Sequence, residues 1–204
     1  MTFRIGRNDN NRSKKWFAIF VGALMLMSVV GFVFSLNPSA QGAGFRYGGL
    51  VFQQDTQGFY TADVEGKQVD FFYRPDDVAG IELPSGAVRL ITGSRAAYIT
   101  YDWNSSRSEL MALFQFDTAI LLEKKWGVFV QPGFSTSNPM NASIVGCAEA
   151  TGFVPVILLE AANNTGIRLD SSNSNCIVVG GDSDTGFLMA ADRLKYAILQ
   201  GGEK

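Results

Sequence analysis

The chain contains no histidine. Its absence removes the commonest general base, the Ser–His–Asp and Cys–His pairings, and the commonest metal ligand. Cysteine is nearly as scarce, with only Cys147 and Cys176 present. They do not have C-x-x-C spacing, and neither has an adjacent Lys or Arg to hold a thiolate. Zinc would need both of them plus carboxylates, an uncommon ligand set. What is present favours strands: 16 Phe and 22 Gly suit β-structure with tight turns over a helical bundle. With 47% hydrophobic and 18% charged residues, a real core can form and global disorder is excluded. A length of 204 residues fits one domain with an appendage.

Charge is missing altogether from "WFAIFVGALMLMSVVGFVFSL", Trp16 to Leu36. About 20 apolar residues cross a bilayer as a helix, and Gly22 and Gly31 are tolerated there. Arg4, Arg7, Arg12, Lys14 and Lys15 precede the run, opposed only by Asp9. The positive-inside rule places that end in the cytoplasm and the rest outside. A cleaved signal peptide is the alternative, with Ala40 and Gly42 as small residues near a cleavage site. The run is longer than the 7–15 residues typical of such a peptide, which favours a signal-anchor. The expected organisation is a cytoplasmic basic tail over 1–15, a transmembrane anchor over 16–36 that has the lipid bilayer as its partner, and a flexible tether over 37–44.

Five of the 17 basic residues and one of the 19 acidic residues precede Asn37, so the remainder carries twelve against eighteen, a net charge of −6. Such a domain is not built for nucleic acid, whose phosphates are held by Lys and Arg. Outside the cell, an even cysteine count points to one disulfide, Cys147–Cys176. Free buried thiols and redox catalysis are the alternatives. Sequons at Asn104, Asn141 and Asn163 fall in loop-like stretches and are candidate glycosylation sites.

Beyond the tether, residues 45–94 read as a β-rich subdomain. "FRYGGLVFQQ", "GFYTADVEG" and "KQVDFFYRP" predict a three-stranded meander from Phe45 to Tyr73, followed by helical turns near Val78 and after Pro84. Residues 95–204 read as an α/β subdomain. "AAYITYDW" is a strand, and Ser108 to Lys125 an apolar helix that Ser108 can cap. "WGVFVQPG" and "FVPVILLEA" are strands. "NNTG" suggests a hairpin into "IRLD". "NCIVVGG" is the last strand. A final helix over Asp184 to Leu199 places Phe187, Ala190, Ala191, Leu194, Ala197 and Ile198 on one face, with Asp192, Arg193 and Lys195 mostly off it. The fold class is therefore α/β (α+β), a small meander plus a mixed sheet with two covering helices.

"NCIVVGGDSDTGF" is the stretch closest to chemistry. Asp182 and Asp184 could share Ca²⁺, though such sites want six to eight oxygens. The strand-to-helix turn could receive a phosphate, which the two carboxylates would repel. The simplest reading is a helix start, with Asp182, Ser183 or Asp184 as cap. "DSDTG" also resembles the haloacid-dehalogenase signature, which would make Asp182 the nucleophile and Asp184 the acid/base. The resemblance covers about five residues, and the 19 residues after Thr185 are one amphipathic helix with no room for the remaining motifs. Ser105, Ser106 and Ser108 have no histidine to activate them, and no spacing pairs them with Lys124, Lys125 or Lys195.

"YITYDWNSSRSELMALF" resembles a thioredoxin-like first strand and helix, with Trp103 near the usual tryptophan and "NSS" where C-x-x-C would stand. In "TGFVPVILLE", Pro155 would match the cis-proline of that fold. The resemblance implies a thioredoxin-like scaffold from about Ala96 to Leu199 without dithiol catalysis. The whole layout is similar to uncharacterised single-pass membrane proteins of archaea, in the anchor, "CAEATGFVPVI", "NCIVV" and "DRLKYAIL"; this implies no activity. The expectation is a membrane-anchored extracytoplasmic domain with a non-catalytic binding or structural role in the cell envelope, an envelope protein as partner, and no cofactor. The alternatives are a thiol-disulfide protein using Cys147 and Cys176, and a Ca-dependent binding module using Asp182 and Asp184.

Overall fold

The computed structural model describes residues 20–22, 25 and 44–201. Residues 20–22 and 25 are helical; the remainder of the Trp16–Leu36 run, the basic tail and the tether up to residue 43 lie outside the described residues. Among the described residues, no helix is long and apolar enough to cross a membrane.

The first sheet is an antiparallel meander of β1 (Phe45–Tyr47), β2 (Leu50–Gln54), β3 (Tyr60–Val64) and β4 (Lys67–Phe71), in that order. It has four strands, where the sequence suggested three. Gly48 and Gly49, both at positive φ, turn the chain inside "FRYGGLVF". Two consecutive glycines allow a two-residue hairpin, so one expected strand becomes two. Two short helices follow, α1 (Pro75–Val78) and α2 (Ala87–Thr92).

The second sheet comprises β5 (Ala96–Tyr101), β6 (Phe129–Phe134), β7 (Val156–Ala161), β8 (Gly166–Leu169) and β9 (Cys176–Gly181). Their order is β6-β5-β7-β9-β8, parallel except for β8. Helix α3 (Ser108–Trp126) links β5 to β6, and α4 (Asp184–Gln200) follows β9. This is the mixed sheet with two helices that the sequence implied.

Two expectations about this sheet need correction. The "NNTG" turn does not make a β7–β8 hairpin, because β8 pairs with β9. Both sides of β7 are taken by parallel strands, and the six-residue apolar run of β9, buried along its whole length, takes the interior place. The described residues contain no cis peptide, so the bond before Pro155 is trans.

Helices α3 and α4 pack on each other, on one face of the second sheet, and on the meander. One core runs through all three layers. Ile99, Ile157, Ile177 and Val179 approach from the mixed sheet, Leu121 and Leu194 from the helices, and Phe52 and Phe71 from the meander. The described residues from Gly44 to Gly201 therefore form a single compact unit, so the 45–94 and 95–204 divisions share one core.

Being covered on two sides explains a feature of α4 that its sequence hides. Asp192 and Lys195, expected off the apolar face, are buried. Lys195 Nζ lies 2.9 Å from Asp192 and 3.7 Å from Asp117 of α3, donates to the Asp70 carbonyl, and sits 4.5 Å from the centre of the Phe71 ring. The other Asp192 oxygen accepts the amides of Phe72 at 2.6 Å and Tyr73 at 2.8 Å. Tyr196 Oη donates to the Tyr73 carbonyl at 2.7 Å. These bonds receive the chain just as β4 ends, where its backbone would otherwise be buried unpaired. Burial raises the Asp192 carboxyl, against the pull of Lys195 and the two amides.

Asp117 carries a pH signature. Burial pushes its carboxyl up to about 6 against the downward pull of Lys195, with Asp70 and Asp192 adding repulsion. In the unfolded chain it titrates near 3.8. Between those values the folded state holds the extra proton, so stability falls as pH rises through this window, by up to about 3 kcal/mol. Asp117→Asn is expected to be more stable than the parent at pH 7.5 by up to that amount. The difference should close below about pH 4. Denaturant titrations at the two pH values check this; a constant difference would contradict it.

Among the described residues, no α-helix covers the opposite face of the mixed sheet. The β6-to-β7 crossover, residues 135–155, covers it with irregular chain and one 3₁₀ turn, Cys147–Glu149. Val145 and Ala150 pack there on Val156 and Val178. The Cys147–Cys176 disulfide ties this segment to the first residue of β9. Asn173 Nδ2 donates to the carbonyls of Cys147 and Ala150, 2.8 Å each. Parallel strands need such a crossover; here a covalent bond holds what a packed helix otherwise would.

Candidate functional site

In an open, mostly parallel sheet, ligands bind outside the carboxyl ends of the strands, where successive connections depart in opposite directions. Here that point lies between β5 and β7. The chain leaves β5 towards β6 on one side and leaves β7 towards β8 and β9 on the other. A crevice of about 350 Å³ opens there, lined by Asp102, Ser105, Ser106 and Ser135, with Met111, Leu158 and Leu159 as its apolar part and Glu160 and Ala161 at the end of β7. Glu160 and Ala161 also line a second depression of about 490 Å³ over the Ala162–Gly166 turn.

The loop after β5 is shaped by Asp102. Its Oδ1 accepts the Asn104 amide at 2.9 Å and the Thr136 hydroxyl at 2.6 Å, joining the ends of β5 and β6. Those bonds hold its carboxyl below the usual carboxylate range. Ser105 Oγ accepts the Arg107 amide at 3.2 Å. The hydroxyls of Ser106 and Ser135 make no hydrogen bond among the described residues. Glu160 Oε1 pairs with Arg168 at 2.6 Å.

Arg107 holds the two helix starts together. Its Nε pairs with Asp184 at 2.8 Å, and its terminal nitrogens donate to the carbonyls of Gly181 and Asp182 at 2.8 and 2.9 Å. Ser108, expected as the cap of α3, is its first helical residue; Arg107 holds the cap position without a side-chain bond.

The acidic stretch after β9 resolves as a helix start. Ser183 caps α4 and accepts the Gly186 amide at 3.1 Å. Asp182 Oδ1 accepts the hydroxyls of Thr165 and Ser183, which lower its carboxyl pKa. Asp182 and Asp184 thus point to different partners, and the Arg107 guanidinium occupies the place beside Asp184 that a cation would take. Among the described residues, no group of three His, Cys, Asp or Glu side chains converges as for a metal. Gly180 and Gly181 serve close approach rather than a left-handed turn. A Cβ on Gly181 would lie 2.1 Å from the Phe187 nitrogen, and one on Gly180 would lie 2.8 Å from Ala162.

The remaining expected residues are spread out. Cys176 is fully buried on the far face, away from the carboxyl edge. Asn104, Asn141 and Asn163 are all exposed, and Asn163 borders the second depression. Lys195 is buried in the cluster described above, and Lys125 Nζ donates to the Leu199 and Gly48 carbonyls, so neither reaches Ser105 or Ser106. Sequence reasoning missed Asp102, Ser135, Glu160 and Arg107. The first three sit at the ends of strands that it had found, and only the strand order brings those ends together.

Compared with protein-family models, curated proteins and solved structures, the chain matches none.

Proposed function

We propose that this chain is a membrane-anchored extracytoplasmic domain with a non-catalytic binding role in the cell envelope, and that it binds through the crevice between the carboxyl ends of β5 and β7. The observation that carries the binding role is the crevice itself. It lies at the point where parallel sheets take ligands, its volume is in the range of small-molecule pockets, and two of its hydroxyls have no partner among the described residues. The chain has no histidine to activate these serines as nucleophiles.

Two features support the location. The disulfide between Cys147 and Cys176 suits an oxidising compartment. Phe20 and Met25 are exposed on helical backbone inside the uncharged run, as side chains that meet lipid would be. Placing a cysteine at exposed Ser171 tests the topology with a membrane-impermeant maleimide. Labelling in intact cells is expected; labelling only after lysis would reverse the orientation.

A further inference from the structure

We infer that the crevice takes a neutral polyhydroxylated ligand, a sugar unit, bound by Ser106, Ser135, Asp102 and Glu160 and stacked on Trp103. The inference rests on the binding role proposed above and adds the class of ligand.

Charge narrows the choice first. The two guanidinium groups near the crevice are engaged, Arg107 by Asp184 and two carbonyls and Arg168 by Glu160. Among the described residues, the lining holds no Lys or Arg to meet a phosphate, sulfate or carboxylate, while Asp102 and Glu160 would repel one. A divalent metal is disfavoured because it would need six to eight oxygens, and no three acidic side chains converge among the described residues.

The lining then fits the two surfaces of a sugar. A pyranose has a rim of hydroxyls, each both donor and acceptor, around faces of C–H groups. Carboxylates accept from such hydroxyls through charge-assisted bonds. The partnerless hydroxyls of Ser106 and Ser135 can donate as well as accept. Glu160 keeps Oε2 after Oε1 has taken Arg168.

The residue next to Asp102 in the chain would supply an apolar partner for the C–H face. Trp103 directly follows Asp102 in the chain, and its ring lies nearly perpendicular to that of Phe134, the neighbour of Ser135, with centres 5.7 Å apart. It is nevertheless 37% exposed. A partly exposed indole packed against a neighbouring ring is a stacking surface of low entropy cost.

The test uses the full chain in nanodiscs and three free sugars, N-acetylglucosamine, mannose and galactose, followed by saturation-transfer NMR. Transfer to the ring C–H protons of at least one sugar is expected. Trp103→Ala should weaken binding about three- to tenfold. Ser135→Phe, which fills the crevice, should abolish it. The disulfide and the helical circular dichroism verify folding in both, and Trp103→Ala alone decides if Ser135→Phe fails to fold. No transfer from any of the three sugars, or transfer unchanged by Trp103→Ala, overturns the sugar assignment.

Tetramethylammonium and Ca²⁺, titrated in parallel, separate the two levels of the argument. If either shifts the Ser135 and Glu160 amides while the sugars do not, the ligand class is wrong and the crevice stands as a binding site. If none of the five probes shifts them, the binding role falls with it.

Discussion

Replacing Lys195 by methionine is expected to destabilise the domain by about 3–5 kcal/mol at neutral pH, the cost of removing one partner from a buried ion pair. The methionine keeps most of the volume and the contact with Phe71 but leaves Asp192 and Asp117 buried without their cation. Denaturant unfolding of the full chain measures the effect. Its charge origin is checked by adding Asp192→Asn and Asp117→Asn together. With no carboxylate left to compensate, the triple variant should recover much of the loss, because neutral replacement of a whole buried pair is often tolerated. An effect of Lys195→Met below about 1 kcal/mol, or a triple variant no better than the single one, would remove the cluster as the link between the meander and the helices.

Removing the Cys147–Cys176 disulfide, as Cys147→Ser with Cys176→Ala, is expected to cost about 3.5 kcal/mol on the chain-entropy account of a loop this long. The bond spans 29 positions of sequence and encloses part of the crossover, β7 and β8. The loss should be local first. Hydrogen exchange should show the amides of residues 143–154 losing protection before those of α3 and α4, because the crossover has only a small apolar cluster beneath it. Equal stability with and without the bond would leave the far face held by packing and the Asn173 hydrogen bonds alone.

Much of the fold was legible because its elements are locally self-consistent. Helix α4 was expected from Asp184 to Leu199 and runs to Gln200, since a serine cap and a regular apolar spacing mark its start and its buried face. The disulfide was legible for a different reason: two cysteines in one domain have only each other. The meander was misread at a single place, where two glycines turn a strand back on itself.

The candidate site was less legible. Asp182 and Asp184 attracted attention as neighbours in sequence, yet a chain turn sends their side chains to Thr165 and Arg107. Asp102, Ser135 and Glu160 come from three strands whose order no local pattern encodes.

By itself, the sequence determined the charge-free run near the amino end, the cysteine pair, the net charge of the residues after that run and the position of nearly every strand and helix. Those properties depend on composition and on spacing within one segment. The tertiary structure decided that β9 would separate β7 from β8, that Lys195 and Asp192 would be buried, and that three strand ends would enclose a crevice. Each of these depends on which distant segments meet. A charged residue on a helix reads as solvent-facing until a second sheet closes over it.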